Sequence, residues 1–207
     1  MKTSVRLLIL LSPVLLASGA HAEPPSSIFN QEMANVVASG NINLDLYNPG
    51  STQLRIGAFS GELIADVSND TMLYKKNLSA SFAAYGGLGI TTNTAGASTN
   101  TMVLGAAYTS KSDSVIFNVN PVITNTAGNS TVEVNLGAFM PLEKGSSYPG
   151  RLLPGMSINL PVSPSGNSVI LLGVRWEVKS NLTVEAGLYN TTSGLQFPGL
   201  FRINLAI

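Results

Sequence analysis

The side chains that most often move protons, attack as nucleophiles or hold zinc are almost missing from this sequence. It has one histidine, His21, and no cysteine. A Ser-His-Asp or Cys-His arrangement therefore has no base beyond that one residue. A disulfide framework is excluded, and His/Cys metal sites lack their ligands. What remains is a set of charges on segments of alternating character. Asp45, Arg55, Glu133, Arg175, Glu177, Glu185 and Arg202 each occupy the polar phase of a run whose other phase is aliphatic. Carboxylates and lysines can still do acid–base work. Here, however, the acids stand beside cations, with Arg175, Arg202 and Arg55 near Glu177, Glu185 and Asp45. Mixed signs on one face predict ion pairs, because an unpaired buried charge is costly. The expectation is a protein that is not an enzyme and holds no metal or cofactor.

Composition narrows the class. Lys2 and Arg6, an apolar run from Leu7 to Ala17, and Ala20-His21-Ala22 before Glu23 have the order of a secretory signal over residues 1–22. His21 then falls inside the leader. The remaining 185 residues carry nine Lys/Arg and eleven Asp/Glu, a formal charge of −2. That gives no basic face for nucleic acid. Charged residues are 11% of the chain, against roughly 25% in an ordinary soluble domain. After the leader no apolar stretch approaches the roughly 18 residues of a spanning helix.

Period-two alternation supplies the positioning elements. Aliphatic and polar residues alternate over 41–47, 77–90, 115–123, 131–140, 156–162, 170–177, 182–188 and 201–207. Two weaker runs start at Leu54 and Met102, and the first loses its phase after Gly61. The pattern predicts eight to ten strands. Their lengths match the roughly 9–11 residues of a tilted membrane strand, and their polar faces are small and neutral. The fold expected is all-β, an antiparallel up-and-down transmembrane β-barrel over 40–207. Its aliphatic face would meet lipid and the seven charges would point into the lumen. Six of the seven, all but Glu133, fall on strands that become neighbours when the sheet closes. Short links at 110–113 and 179–181 are expected on the periplasmic side. The Thr/Asn/Gly segments 91–101 and 124–130 are expected as outside loops.

Two further features stand out. Residues 92–106 recur at 124–138, with 10 of 15 positions identical, an offset equal to two strands and their links. Between leader and first strand, residues 23–39 place Ile28, Phe29, Met33, Val36 and Val37 at roughly helical spacing. This predicts a short periplasmic helix, a plug entering the lumen, or an unstructured lead-in.

With its leader, its alternating strands and its last segment Phe201-Arg202-Ile203-Asn204-Leu205-Ala206-Ile207, the chain resembles the small outer-membrane β-barrel proteins of Gram-negative bacteria. In that class the terminal strand is read by the barrel-assembly machinery and usually ends in Phe or Trp, where this chain has Ile207. The resemblance implies an outer-membrane location, with membrane lipid and the assembly machinery as partners. It also implies a non-enzymatic structural or surface-interacting role. Tyr108 and Trp176, near strand ends, would be interface anchors. Two alternatives remain open at this stage. One is a narrow channel for ions or small solutes, tuned by the inward charges. The other is a soluble secreted β-sandwich of the adhesin or pilus-subunit kind.

Overall fold

A computed structural model describes residues 27–29, 31–48, 51–92, 98–142, 150–179, 181–191 and 194–207. The leader expected at 1–22 and part of the first repeat copy, 93–97, lie outside the described residues.

The alternating runs pair with their chain neighbours, and the last returns to the first. Twelve antiparallel strands form one closed barrel. They are β3 (Ile42–Asn48), β4 (Ser51–Ala58), β5 (Gly61–Asp66), β6 (Thr71–Ser79), β7 (Phe82–Thr92) and β8 (Ser98–Lys111). The circuit continues through β9 (Ile116–Thr126), β10 (Asn129–Phe139), β11 (Arg151–Ser163), β12 (Val169–Lys179), β13 (Leu182–Thr191) and β14 (Gly194–Ala206). Two short strands, β1 (Ser27–Ile28) and β2 (Gln31–Glu32), form a separate hairpin. Strand β14 closes the barrel on β3, pairing Arg202 with Tyr47 and Asn204 with Asp45. At the foot of this seam Ile42 and Ile207 exchange backbone hydrogen bonds of 3.3 and 2.8 Å. Closure leaves the barrel sheet without an edge, and a single closed sheet replaces the two stacked sheets of the sandwich alternative.

The count is twelve strands, not eight to ten, because β5 and β6 are additional. Their pattern hides them. Ile64 and Leu73 take inward positions among the charged Glu62, Asp66 and Lys75, and Lys76 points out among Met72, Tyr74 and Leu78. The β4–β5 turn is Phe59-Ser60, with φ of 53° and 59°. Hairpin turns of that hand normally advertise themselves with Asn or Gly, and this one does not. The run 77–90 read as one segment is broken at Ala80–Ser81, where β6 ends and β7 begins. The expected long loop at 124–130 is mostly strand: β9 continues to Thr126 and β10 starts at Asn129, leaving Ala127-Gly128 as the turn.

The two repeat copies take equivalent places. Leu104-Gly105-Ala106 lies on β8 and Leu136-Gly137-Ala138 on β10, each after a hairpin at the end of the barrel opposite the start of β3. Another local irregularity is self-correcting. Pro121 has no N–H to give β8, and between the register pairs Gly105–Val122 and Tyr108–Val119 the Ala106 carbonyl accepts instead from the Asn120 amide at 2.6 Å.

Outward positions are aliphatic and exposed, with Met72 at 61% and Leu88 at 67%. Inward positions are polar or buried. No helix occurs among the described residues, so the helical spacing of Ile28 to Val37 is not realised. That segment lies in the lumen as the β1–β2 hairpin followed by an irregular run, with Ile28, Phe29, Met33 and Val37 at 0–3% exposure. It leaves by the end where β3 begins, turning through Ser39–Gly40 against β4, where Gly40 donates to the Gly57 carbonyl at 3.0 Å.

The turn fits because β4 carries Gly57, where an added Cβ would stand 1.7 Å from the Ala38 carbonyl oxygen. Gly57→Val is therefore expected to push residues 37–40 off the wall, while Ala58→Val, on the outer face, is tolerated. Limited proteolysis with mass mapping of residues 27–41 checks this: cleavage in the Gly57 variant alone is the predicted outcome.

Candidate functional site: a charge ladder and the plug it holds

The inward phase of seven wall strands, β3 to β6 and β12 to β14, builds one connected array of ion pairs. Arg175 on β12 donates through Nε to Glu185 on β13 at 2.6 Å. Arg202 on β14 lies 3.4 Å from Glu185 and 2.6 Å from Asp45 on β3. Asp45 also receives Arg55 Nε from β4 at 2.9 Å and the Asn204 amide at 2.6 Å. Arg55 continues to Glu62 on β5 at 2.9 Å, and Glu62 to Lys75 on β6 at 2.8 Å. These wall groups are at most 3% exposed. Side chains two apart on a strand share a face, and antiparallel register sets opposite partners about 4.5–5.5 Å apart. Arg175 and Glu185 are register partners, as are Glu185 and Arg202.

The plug completes the array. Glu32 grips Arg55 at 2.6 and 2.9 Å through both guanidinium Nη atoms and Lys75 Nζ at 2.8 Å. It is the one charged residue of the segment 27–38. Burial favours its neutral form, but Arg55 and Lys75 outweigh that and hold its carboxyl well below the usual range. A depressed carboxyl stabilises the fold above its unfolded pKa and stops doing so only as pH falls toward the folded value. The grip is therefore intact at neutral pH.

Beyond the short β1–β2 pairing, this segment has no sheet to satisfy its backbone, so wall side chains do it. Phe29 N–H donates to Glu185 at 3.1 Å, Ala34 N–H to Thr109 Oγ1 at 2.8 Å and Val37 N–H to Glu62 at 2.7 Å. The Ser27 carbonyl accepts from Arg175 and Arg202. Glu32 O accepts from the Asn118 amide at 3.0 Å and Ala34 O from the Asn77 amide at 2.9 Å.

An apolar patch on β9 to β12 and β14 lines another part of the lumen. Ile116, Phe139, Leu153, Leu171 and Leu200 face Ile28, Phe29 and Met33, with Phe29 edge-on to Phe139 at 5.2 Å between ring centres. At Gly173 an added Cβ would come within 3.1 Å of the Phe29 ring. The plug is thus seated between an oily wall and a charged one. Away from it the inward side chains are polar and half-exposed. There Asn159 donates to Glu133 and to Asn135, both at 2.8 Å.

Of the seven sequence-derived residues, Asp45, Arg55, Arg175, Glu185 and Arg202 come together in the ladder. Glu133 and Glu177 share the inward phase but stand apart from it: Glu133 is held by Asn159, and Glu177 lies 4.0 Å from Arg151 near the strand ends. Three ladder members escaped the sequence reading, Glu32, Glu62 and Lys75. Glu62 and Lys75 sit on the two strands whose phase is blurred, and Glu32 sits in the segment with helical spacing.

Asp45 bridges the first, second and last barrel strands. Asp45→Asn leaves Arg55 and Arg202 short of charge at the closing seam, a loss of about 3–5 kcal/mol for a broken buried pair. Urea unfolding followed by tryptophan emission reads it, with Glu177→Gln, near the strand ends, as the control within about 1 kcal/mol.

No family model matches the sequence and no curated protein is significantly similar to it.

Proposed function

We propose that this chain is a membrane-embedded barrel of the outer-membrane kind, closed by its own N-terminal segment and acting without catalysis in a structural or surface-interacting role. The carrying observation is the inverted distribution of polarity. Eight charges are sealed in the interior, while Leu46, Met72, Leu88, Ile90, Leu104, Ile123, Met156 and Leu172 are 40–67% exposed around the outside. Water makes such a surface adhesive. Hydrocarbon makes it the ground state, and a closed barrel is the only sheet that satisfies its backbone there.

The outward aromatics support the same reading. Phe59, Phe82, Tyr108, Phe117 and Trp176 lie toward the end where β3 starts, as one interfacial girdle would, while Phe201 pairs with Asn48 at the far end of β3. On this reading that end faces the periplasm and the Thr/Asn-rich hairpins β7–β8 and β9–β10 face outward, offering the contact surface. The last strand, 201–207, is the segment presented to the barrel-assembly machinery. The non-catalytic role is supported by the ladder itself, where each carboxylate is engaged by arginine or lysine. The open-channel alternative is disfavoured because the plug fills the lumen beside the ladder.

The chain has a single tryptophan, and Trp176 shares the outward phase of Leu172 and Val174 on β12. Its fluorescence in reconstituted vesicles is expected to be quenched by phospholipids brominated on the acyl chain and to be insensitive to aqueous iodide. Quenching by iodide alone would sink the membrane reading.

A further inference from the structure

We propose that the barrel is a latent pore for small carboxylates, and that Glu32 occupies the site such an anion would take. The inference rests on the membrane reading above.

The site is built. Arg55 presents a two-pronged guanidinium fork and Lys75 an ammonium to one carboxylate, at 2.6, 2.9 and 2.8 Å, with the two cations 1% and 0% exposed. A planar fork plus a point charge is the arrangement that recognises a carboxylate, whichever molecule carries it. Here the carboxylate comes from the plug and not from the wall.

The charge count makes the same point. Among the described residues the wall gives the ladder four cations, Arg55, Lys75, Arg175 and Arg202. It gives three carboxylates, Asp45, Glu62 and Glu185. The plug supplies the fourth. With the plug withdrawn, the ladder keeps one positive charge in excess, beside Arg55 and Lys75. Charged rings at the narrow part of a pore set ion preference. Three further inward acids stand outside the ladder: Glu133 is held by Asn159, Asp66 accepts from Ser51 and Gln53, and Glu177 faces Arg151 near the strand ends.

The plug is also separable. It pairs with no barrel strand, since β1 and β2 form a sheet of their own. Its bonds to the wall run largely through wall side chains. Withdrawing it breaks side-chain contacts and leaves the twelve-stranded hydrogen-bond circuit whole.

Planar-bilayer recording on the full chain tests this. The wild type is expected to be closed almost throughout. Glu32→Gln removes the charge and keeps the shape, and is expected to raise the open fraction about tenfold to a hundredfold, the worth of a charged hydrogen-bonded anchor. In a potassium chloride gradient its reversal potential should have the sign for chloride, and potassium acetate should carry current. Adding Lys75→Gln should abolish the anion preference. If Glu32→Gln does not fold, Phe29→Ala loosens the plug from its apolar side with every ladder charge in place, and its brief openings should show the same preference. Silence of a folded variant whose Trp176 is still quenched by brominated lipid overturns the pore and leaves the membrane reading standing. Cation-preferring openings overturn the carboxylate site.

Discussion

Everything in this barrel is arranged around charges that cannot reach water. Arg55 at 1% and Asp45 at 0% exposure would each be prohibitive alone in a low-dielectric interior. They are tolerable because each finds an opposite charge at hydrogen-bond distance and because the array has no loose end. Arg175, Glu185, Arg202, Asp45, Arg55, Glu62 and Lys75 form a continuous path across the seam where the chain closes on itself. The seam is short on its β3 side, which spans seven residues. Asp45 accepts from both flanking strands there, so the electrostatics and the backbone ladder close the cylinder at the same place.

The plug follows from the same constraint. A twelve-stranded cylinder encloses more space than its inward side chains fill, and barrels above about eight strands leave an open lumen unless something occupies it. Residues 27–29 and 31–38 occupy it, as a two-strand hairpin and an irregular run. Their apolar residues meet the oily wall made by β9 to β12 and β14, and Glu32 meets the cations of β4 and β6. Glycines in the wall mark the path, with Gly57 under Ala38 and Gly173 under Phe29. The fit is steric, apolar and ionic at once, which is why one short segment without regular sheet contacts to the barrel is nonetheless buried.

Much of this was legible in the residues. Period-two alternation gave the all-β barrel, and the polar phase brought Asp45, Arg55, Arg175, Glu185 and Arg202 to one side. Phase reports which face a side chain takes and says nothing of how high it stands, so Glu177 passed for a member of the cluster, whereas strand order already set Glu133, on β10, apart. Lys75 and Glu62 were hidden because β5 and β6 mix apolar and charged residues on the inward face, β6 also carries Lys76 outward, and β5 is joined to β4 by Phe59-Ser60, a turn without the Asn or Gly that usually marks one. The plug was hidden for a related reason. Phe139, Leu153 and Leu171 break the polar-in rule, and such breaks look like noise until something apolar is known to cover them. The spacing of Ile28, Phe29 and Met33 arose from contact with one apolar patch of the lumen, which a hairpin and an irregular run can also produce.

The central physical claim is that the N-terminal segment lives inside the cylinder, fixed to the ladder. Hydrogen exchange of residues 27–38 in the folded, lipid-reconstituted protein addresses it directly, because the Phe29, Ala34 and Val37 amides donate to Glu185, Thr109 and Glu62 within the lumen. The predicted result is protection over hours, comparable with the barrel strands. Complete exchange within seconds, with the strands still protected, would place the segment outside and contradict the account.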